Sequence, residues 1–470
     1  MEATSPTSGG IDQRNAPSVR LPLSFMLTGL GSLCGGVAWI ALQPSILATY
    51  HYNQYVIAAT HLFVLGWICT IVMGSVYQLV PVALETKLYS EKLAWCQLFF
   101  HVVGVGGMVW MFRIWNMTNL AHFGSMFAMG VILFVYNMAR TLGRVPKWNV
   151  TATAVAAALG WITLAITAGL VIAAGKCDYD AAFEKSPPAF VAAILHGLQS
   201  VGKFALRFDA VSAMHAHAHL GLVGCFTMLI VGVSYKLVPM FAISEVQCGR
   251  RALVSILLLN AGLVGSFVTI LTRSPWKFGF ALMICLALAI YGWELSAILR
   301  ARKRRVLDWG VKYFLTAVAM LLPVASVGAV LAWPGLPKNT FTGQLENLYG
   351  FLGVAGFITL AVMGMLYKIL PFLIWFGRYS RQIGRARVPS LADLYSASLQ
   401  RFGYWSYLAG LAVTSGGILC GRESAVRLGG CLLALGVATL ACNAVRMAGH
   451  YFAPHMEPFN VPATAIAKEA

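Results

Sequence analysis

Apolar residues in this chain fall in long runs, with no two-residue alternation, and short polar segments separate the runs from residue 23 to residue 445. A helix rises 1.5 Å per residue, so about 20 apolar residues cross the roughly 30 Å of a bilayer's hydrocarbon. Twelve stretches fit that pattern: 23–48, 56–82, 93–112, 120–140, 151–174, 213–241, 253–271, 278–299, 311–333, 348–372, 404–419 and 426–445. They predict an all-α polytopic membrane protein of twelve transmembrane helices.

An internal repeat organises these helices. The second span reads HLFVLGWICTIVMGSVYQLVP from His61 to Pro81, and the sixth reads HLGLVGCFTMLIVGVSYKLVP from His219 to Pro239. Each histidine is followed by Gly at +5 (Gly66, Gly224), Gly at +13 (Gly74, Gly232), Tyr at +16 (Tyr77, Tyr235) and Pro at +20. The tenth span repeats the pattern with Gly356, Gly364, Tyr367 and Pro371, and Phe351 stands where the histidine would be. Three copies, each on the second helix of four, predict three pseudo-threefold four-helix groups, about 21–145, 150–305 and 310–450, within one membrane domain over 21–450. The glycines predict a small-residue strip for close helix packing. The prolines predict a bend or an end.

Composition excludes other classes. Of 470 residues 59% are hydrophobic and 11% charged, with mean hydropathy +0.74, so a soluble globule, a disordered chain or a nucleic-acid module is ruled out. A net charge of +18 would suggest nucleic acid in a soluble protein, but here the Lys and Arg lie mostly in short connections between apolar runs, so it reads as topology and no nucleic-acid partner is expected. Lys and Arg follow the even-numbered spans, as at Arg300, Arg302, Lys303, Arg304 and Arg305, which marks the cytoplasmic side. Both termini are therefore expected in the cytoplasm, as tails over 1–20 (disordered, with no signal peptide) and 451–470. The expected location is a bacterial inner membrane, and the lipid bilayer is the first partner. The stretch 176–212 is expected outside, with an amphipathic segment over 188–207 that either lies on the outer surface or re-enters the membrane. Ten cysteines form no C-x-x-C pair and read as packing residues.

The candidate chemistry lies in histidines. His61 and His219 share one repeat position, hence one depth, and an ionisable side chain at membrane depth is a functional signal. Neutral imidazole binds heme iron and copper. The run HAHAH supplies His215, His217 and His219. On a helix His215 and His219 share a face and could grip one metal; in an extended entry all three would face one side. His122 and His196 could complete a site at that depth, as could His101 deeper in the third span. His51, His450 and His455 are expected to carry no chemistry. Lys236 and Lys368 read as snorkelling lysines, and Glu294 as a residue near the cytoplasmic boundary.

Twelve spans in three groups of four, with ligand-type histidines on the second and sixth, resemble subunit I of the heme-copper oxidases, including the nitric oxide reductases. The resemblance implies that His61 is an axial ligand of a low-spin heme and that one of His215, His217 or His219 binds copper. It also implies heme b and/or copper as cofactor and a cytochrome subunit or quinol as partner. The chain departs from the family at the tenth span, where two histidines are replaced by Tyr349 and Phe351, and at the seventh, which has none. The usual binuclear centre cannot be built from these residues. The reading is a heme- and/or copper-binding membrane protein of respiratory electron transfer or nitric oxide and oxygen metabolism. The alternatives are an active oxidoreductase with a remodelled site, and a cofactor-free transporter or copper-handling assembly factor.

Overall fold

The computed structural model describes residues 17–176, 189–205, 207–454 and 456–458. The expected tails lie outside these residues except for 17–20, 451–454 and 456–458. Eleven helices among the described residues are long and apolar enough to span a membrane: α1 (Arg20–Leu42), α2 (Gln54–Ala83), α3 (Glu91–Ile114), α4 (Met117–Leu142), α5 (Val150–Lys176), α6 (Ala210–Ala242), α7 (Gly249–Leu271), α8 (Lys277–Arg300), α9 (Trp309–Ala332), α10 (Thr340–Arg378) and, after α11, α12 (Glu423–Phe452). The remaining helix, α11 (Ala397–Cys420), is 24 residues long but more polar, with Gln400 and Arg401 in its first turn. It packs along α12, where Gly403 meets Thr439 and Gly410 meets the Leu433 backbone. Large apolar side chains such as Leu164, Leu257, Leu286 and Leu428 stand exposed around the bundle, as lipid-facing residues do.

Helix boundaries follow local chemistry. The first expected span breaks at Gln43, because Pro44 disfavours helix in the residue before it, and the chain resumes in the short helix Ser45–Ala48. Asn53, Asp209 and Asn339 cap α2, α6 and α10 by accepting from backbone N–H groups two or three residues on. As a result α10 begins eight residues before the expected 348, and its polar first turns carry Glu346 and Asn347. Part of the expected amphipathic segment forms the helix Ala189–Ala205.

The repeat has a conformational signature. Immediately after His61, His219 and Phe351 the helix widens into eight-residue π-helical segments, Leu62–Cys69, Leu220–Thr227 and Leu352–Thr359. Such segments strand backbone carbonyls and recur at functional sites. Thr70 Oγ1 donates to the Leu65 carbonyl at 3.0 Å, and Thr227 Oγ1 to the Leu222 carbonyl at 2.8 Å, which satisfies those groups. His101 serves the same end: its Nε2 lies 2.8 Å from Thr70 Oγ1 and 3.2 Å from the Leu65 carbonyl.

The glycines pack as their spacing predicts. A Cβ on Gly74 would fall 2.4 Å from Phe25 of α1, one on Gly232 would fall 2.0 Å from Ala154 of α5, and one on Gly364 would fall 2.6 Å from the Gly310 carbonyl of α9. Each copy of the repeat thus touches the helix preceding it.

The buried charges are structural. Glu294 accepts from the backbone N–H of Gln247 and Cys248 at 2.7 and 2.8 Å and from Arg251 Nε at 2.7 Å, closing the start of α7. Lys368 pairs with Asp308, the N-cap of α9, at 2.6 Å, whereas Lys236 is exposed.

Candidate heme and metal site

A cavity of about 1470 Å³ occupies the end of the bundle nearer the histidines. It exceeds the roughly 300–1,000 Å³ that holds drug-sized ligands. Equivalent positions of all three repeats line it: His61, His219 and Phe351 at the first position, then Cys69, Thr227 and Thr359 eight residues on. Trp67 Nε1 donates to Thr359 Oγ1 at 3.2 Å and ties α2 to α10. The mouth is polar, with the Asp209–Arg273 ion pair and Lys176 Nζ donating to Tyr52 Oη at 2.6 Å.

Three imidazoles on this cavity are fixed in one tautomer. His61 Nδ1 lies 2.8 Å from the Ile57 carbonyl, His219 Nδ1 2.7 Å from the His215 carbonyl, and His217 Nδ1 2.9 Å from the Ala165 carbonyl of α5. A carbonyl can only accept, so each Nδ1 carries the proton and each Nε2 keeps its lone pair. His219 Nε2 accepts from Tyr349 Oη at 3.2 Å. Neither His61 nor His217 has a partner for Nε2 among the described residues. The His61 ring lies against Phe112, with centroids 4.4 Å apart. Gly169 leaves room for the His217 ring, since a Cβ there would fall 3.0 Å from Cε1.

The HAHAH run is divided, not pooled. His217 and His219 face the cavity through anchored rings, whereas His215 turns to the mouth, where its Nε2 lies 3.0 Å from His51 Nε2. The helical geometry of α6 puts His215 and His219 on one face as expected, yet their side chains take different partners and form no shared grip. His51 sits in the connection before α2, and its side chain is packed against His215 and Glu346. Burial lowers the His51 pKa from its ordinary value. His122 and His196 are exposed, and neither lines the cavity. His450 bonds Tyr379 at 3.0 Å, away from this end, and His455 lies outside the described residues.

No family model and no curated protein matches this sequence. Among solved structures, a heme-copper terminal oxidase dimer determined by cryo-EM superposes with a TM-score of 0.62 at 13% identity, over 92% of this chain and 84% of that one. The fold is heme-copper oxidase-like. Imidazoles with Nδ1 held by backbone and Nε2 open are how histidine meets heme iron or copper. The residues present therefore fit an imidazole-ligated group. The helix-10 positions that would add imidazoles hold Tyr349, bonded to His219, and Phe351.

Proposed function

We propose that this protein binds heme, and/or copper, inside the membrane and works in respiratory electron transfer or in nitric oxide and oxygen metabolism, without the usual binuclear centre. The observation that carries the reading is the shared tautomer of His61, His217 and His219 around one cavity. His61 and His217 hold the group through their uncommitted Nε2 atoms. His219 either joins them or stays with Tyr349. A heme held there supplies a one-electron iron couple. The chain's own part is to fix each imidazole by a backbone carbonyl, to surround the group with apolar walls that exclude water, and to keep Nε2 unprotonated.

On this reading the chain has twelve spans in three four-helix groups, with both termini on the cytoplasmic side of a bacterial inner membrane and the histidine end outside. A cytochrome subunit or quinol supplies the electrons. The test is cofactor content: native protein, His61→Ala, His217→Ala and His219→Ala are purified alike and assayed for heme and copper. Loss of cofactor in His61→Ala and His217→Ala, with the proteins still folded, is expected. Full content in both would remove the reading.

A further inference from the structure

We propose that His51, His215 and Glu346 form a binding site for one divalent first-row transition-metal ion at the mouth of the cavity, separate from the imidazoles within it. The three side chains come from distant parts of the chain: the connection before α2, the second turn of α6 and the second turn of α10. One donor atom from each can be chosen so that all three lie within 4.8 Å of one another. Such convergence is not a by-product of one helix's spacing.

Hydrogen bonding alone does not satisfy this group. The two Nε2 atoms, 3.0 Å apart, can share a single proton between them. His51 Nδ1 is then buried without a hydrogen bond of good geometry, the Asn347 side chain being its polar neighbour, and the nearest Glu346 oxygen, at 3.7 Å, is too far for one. No Lys or Arg lies within 4.0 Å of Glu346 among the described residues, and Lys277 and Lys338 act on its carboxylate only from beyond ion-pair distance. A cation held by the two Nε2 atoms replaces the shared proton and brings positive charge to Glu346. Two nitrogens bound to one ion at about 2.0–2.1 Å sit about 2.8–3.4 Å apart for ligand angles between square and tetrahedral, and the observed 3.0 Å falls in that range.

The donor set selects the class of ion. Calcium and magnesium take oxygen ligands, six or more for calcium, whereas two imidazoles and a carboxylate suit zinc, copper or iron and leave positions open for water. Bound metal also joins three elements at the mouth, where Asn347 Nδ2 already donates to the Thr49 carbonyl at 2.6 Å. The His215 carbonyl meanwhile holds the cavity histidine His219.

The test uses the full-length protein in detergent, stripped with a chelator and titrated with Zn2+ by calorimetry and with Co2+ by absorption. One equivalent of Zn2+ is expected at this site, and binding should weaken at least about 100-fold in His51→Gln and in Glu346→Gln, beyond the loss typical of an outer-shell partner. His61→Ala should bind it as the native protein does, which separates this site from the cavity reading. Size-exclusion profiles check that the variants fold. If they do not, the native Co2+ spectrum decides: intense four- or five-coordinate bands support the site, and a weak octahedral spectrum overturns it. Absence of a Zn2+ equivalent, native-like binding in both folded variants, or its loss in His61→Ala would each overturn it as well.

Discussion

Replacing Gly232 with Ala should push α6 away from α5, because the new Cβ would fall 2.0 Å from the Ala154 Cβ, where ordinary contact begins near 3.4 Å. The helices must part locally by about 1.4 Å, the difference between those two values. Overpacking of this kind costs about 1–3 kcal/mol. Parting also stretches the bond from Thr151 Oγ1 to the Gly232 carbonyl, now 3.0 Å, and interhelical bonds in membranes average about 0.6 kcal/mol. Alanine's better helix propensity returns at most about 1 kcal/mol. The net expectation is a loss of about 1–3 kcal/mol. Thermal unfolding in detergent reads it, and the second substitution sharpens it. Ala154→Gly removes the clashing methyl, so Gly232→Ala with Ala154→Gly should recover most of the loss. Heme or copper retention should follow the same order, since α5 also carries the carbonyl that anchors His217. A Gly232→Ala protein as stable as the native one, or a double variant no better than the single, would refute the packing argument.

Further outcomes follow from the same structure. Glu294→Ala should cost about 1–3 kcal/mol, because it removes the shared acceptor of two backbone amides and of the partly exposed Arg251; denaturant titration in mixed micelles checks this. The bond from Arg273 holds the Asp209 carboxyl below its ordinary 3.8. Its contribution is therefore complete above the unfolded pKa and lost as pH falls through the lower folded value. Melting temperatures between about pH 5 and 2 should drop more for native protein than for Asp209→Asn, with the difference arising below the ordinary carboxylate pKa. A reporter fused after Arg305 should remain cytoplasmic. The purified chain with a reduced donor should show no steady oxygen consumption, since no helix-7 histidines and no helix-10 pair stand ready for a binuclear centre.

The repeat is legible in sequence because it is written in residues with strong steric meaning: Gly74, Gly232 and Gly364 sit where a neighbouring helix leaves no room for a Cβ. His61 and His219 are legible through that register. The π-helical widening after each is not, since it depends on where α2, α6 and α10 meet their neighbours and leaves no mark in hydropathy. His51 and Glu346 escape for a related reason. Each lies in a polar segment beyond the apolar run, and only the caps at Asn53 and Asn339 lengthen the helices enough to bring their ends together. Asn339 followed by Thr340 and a polar turn was the available signal for the longer α10. The separation of His215 from His219 could not be read from spacing, because the partners that part them, His51 and Tyr349, are 164 and 130 residues away.

The central claim is that anchored, open imidazoles hold a redox group within the bundle. The most direct measurement is a reduced-minus-oxidised optical spectrum of the native protein, purified gently and assayed in parallel for heme and copper. The account predicts a heme signal, or stoichiometric copper, that disappears in His61→Ala. A folded native protein carrying neither, and taking up neither when heme or copper is added, would contradict it.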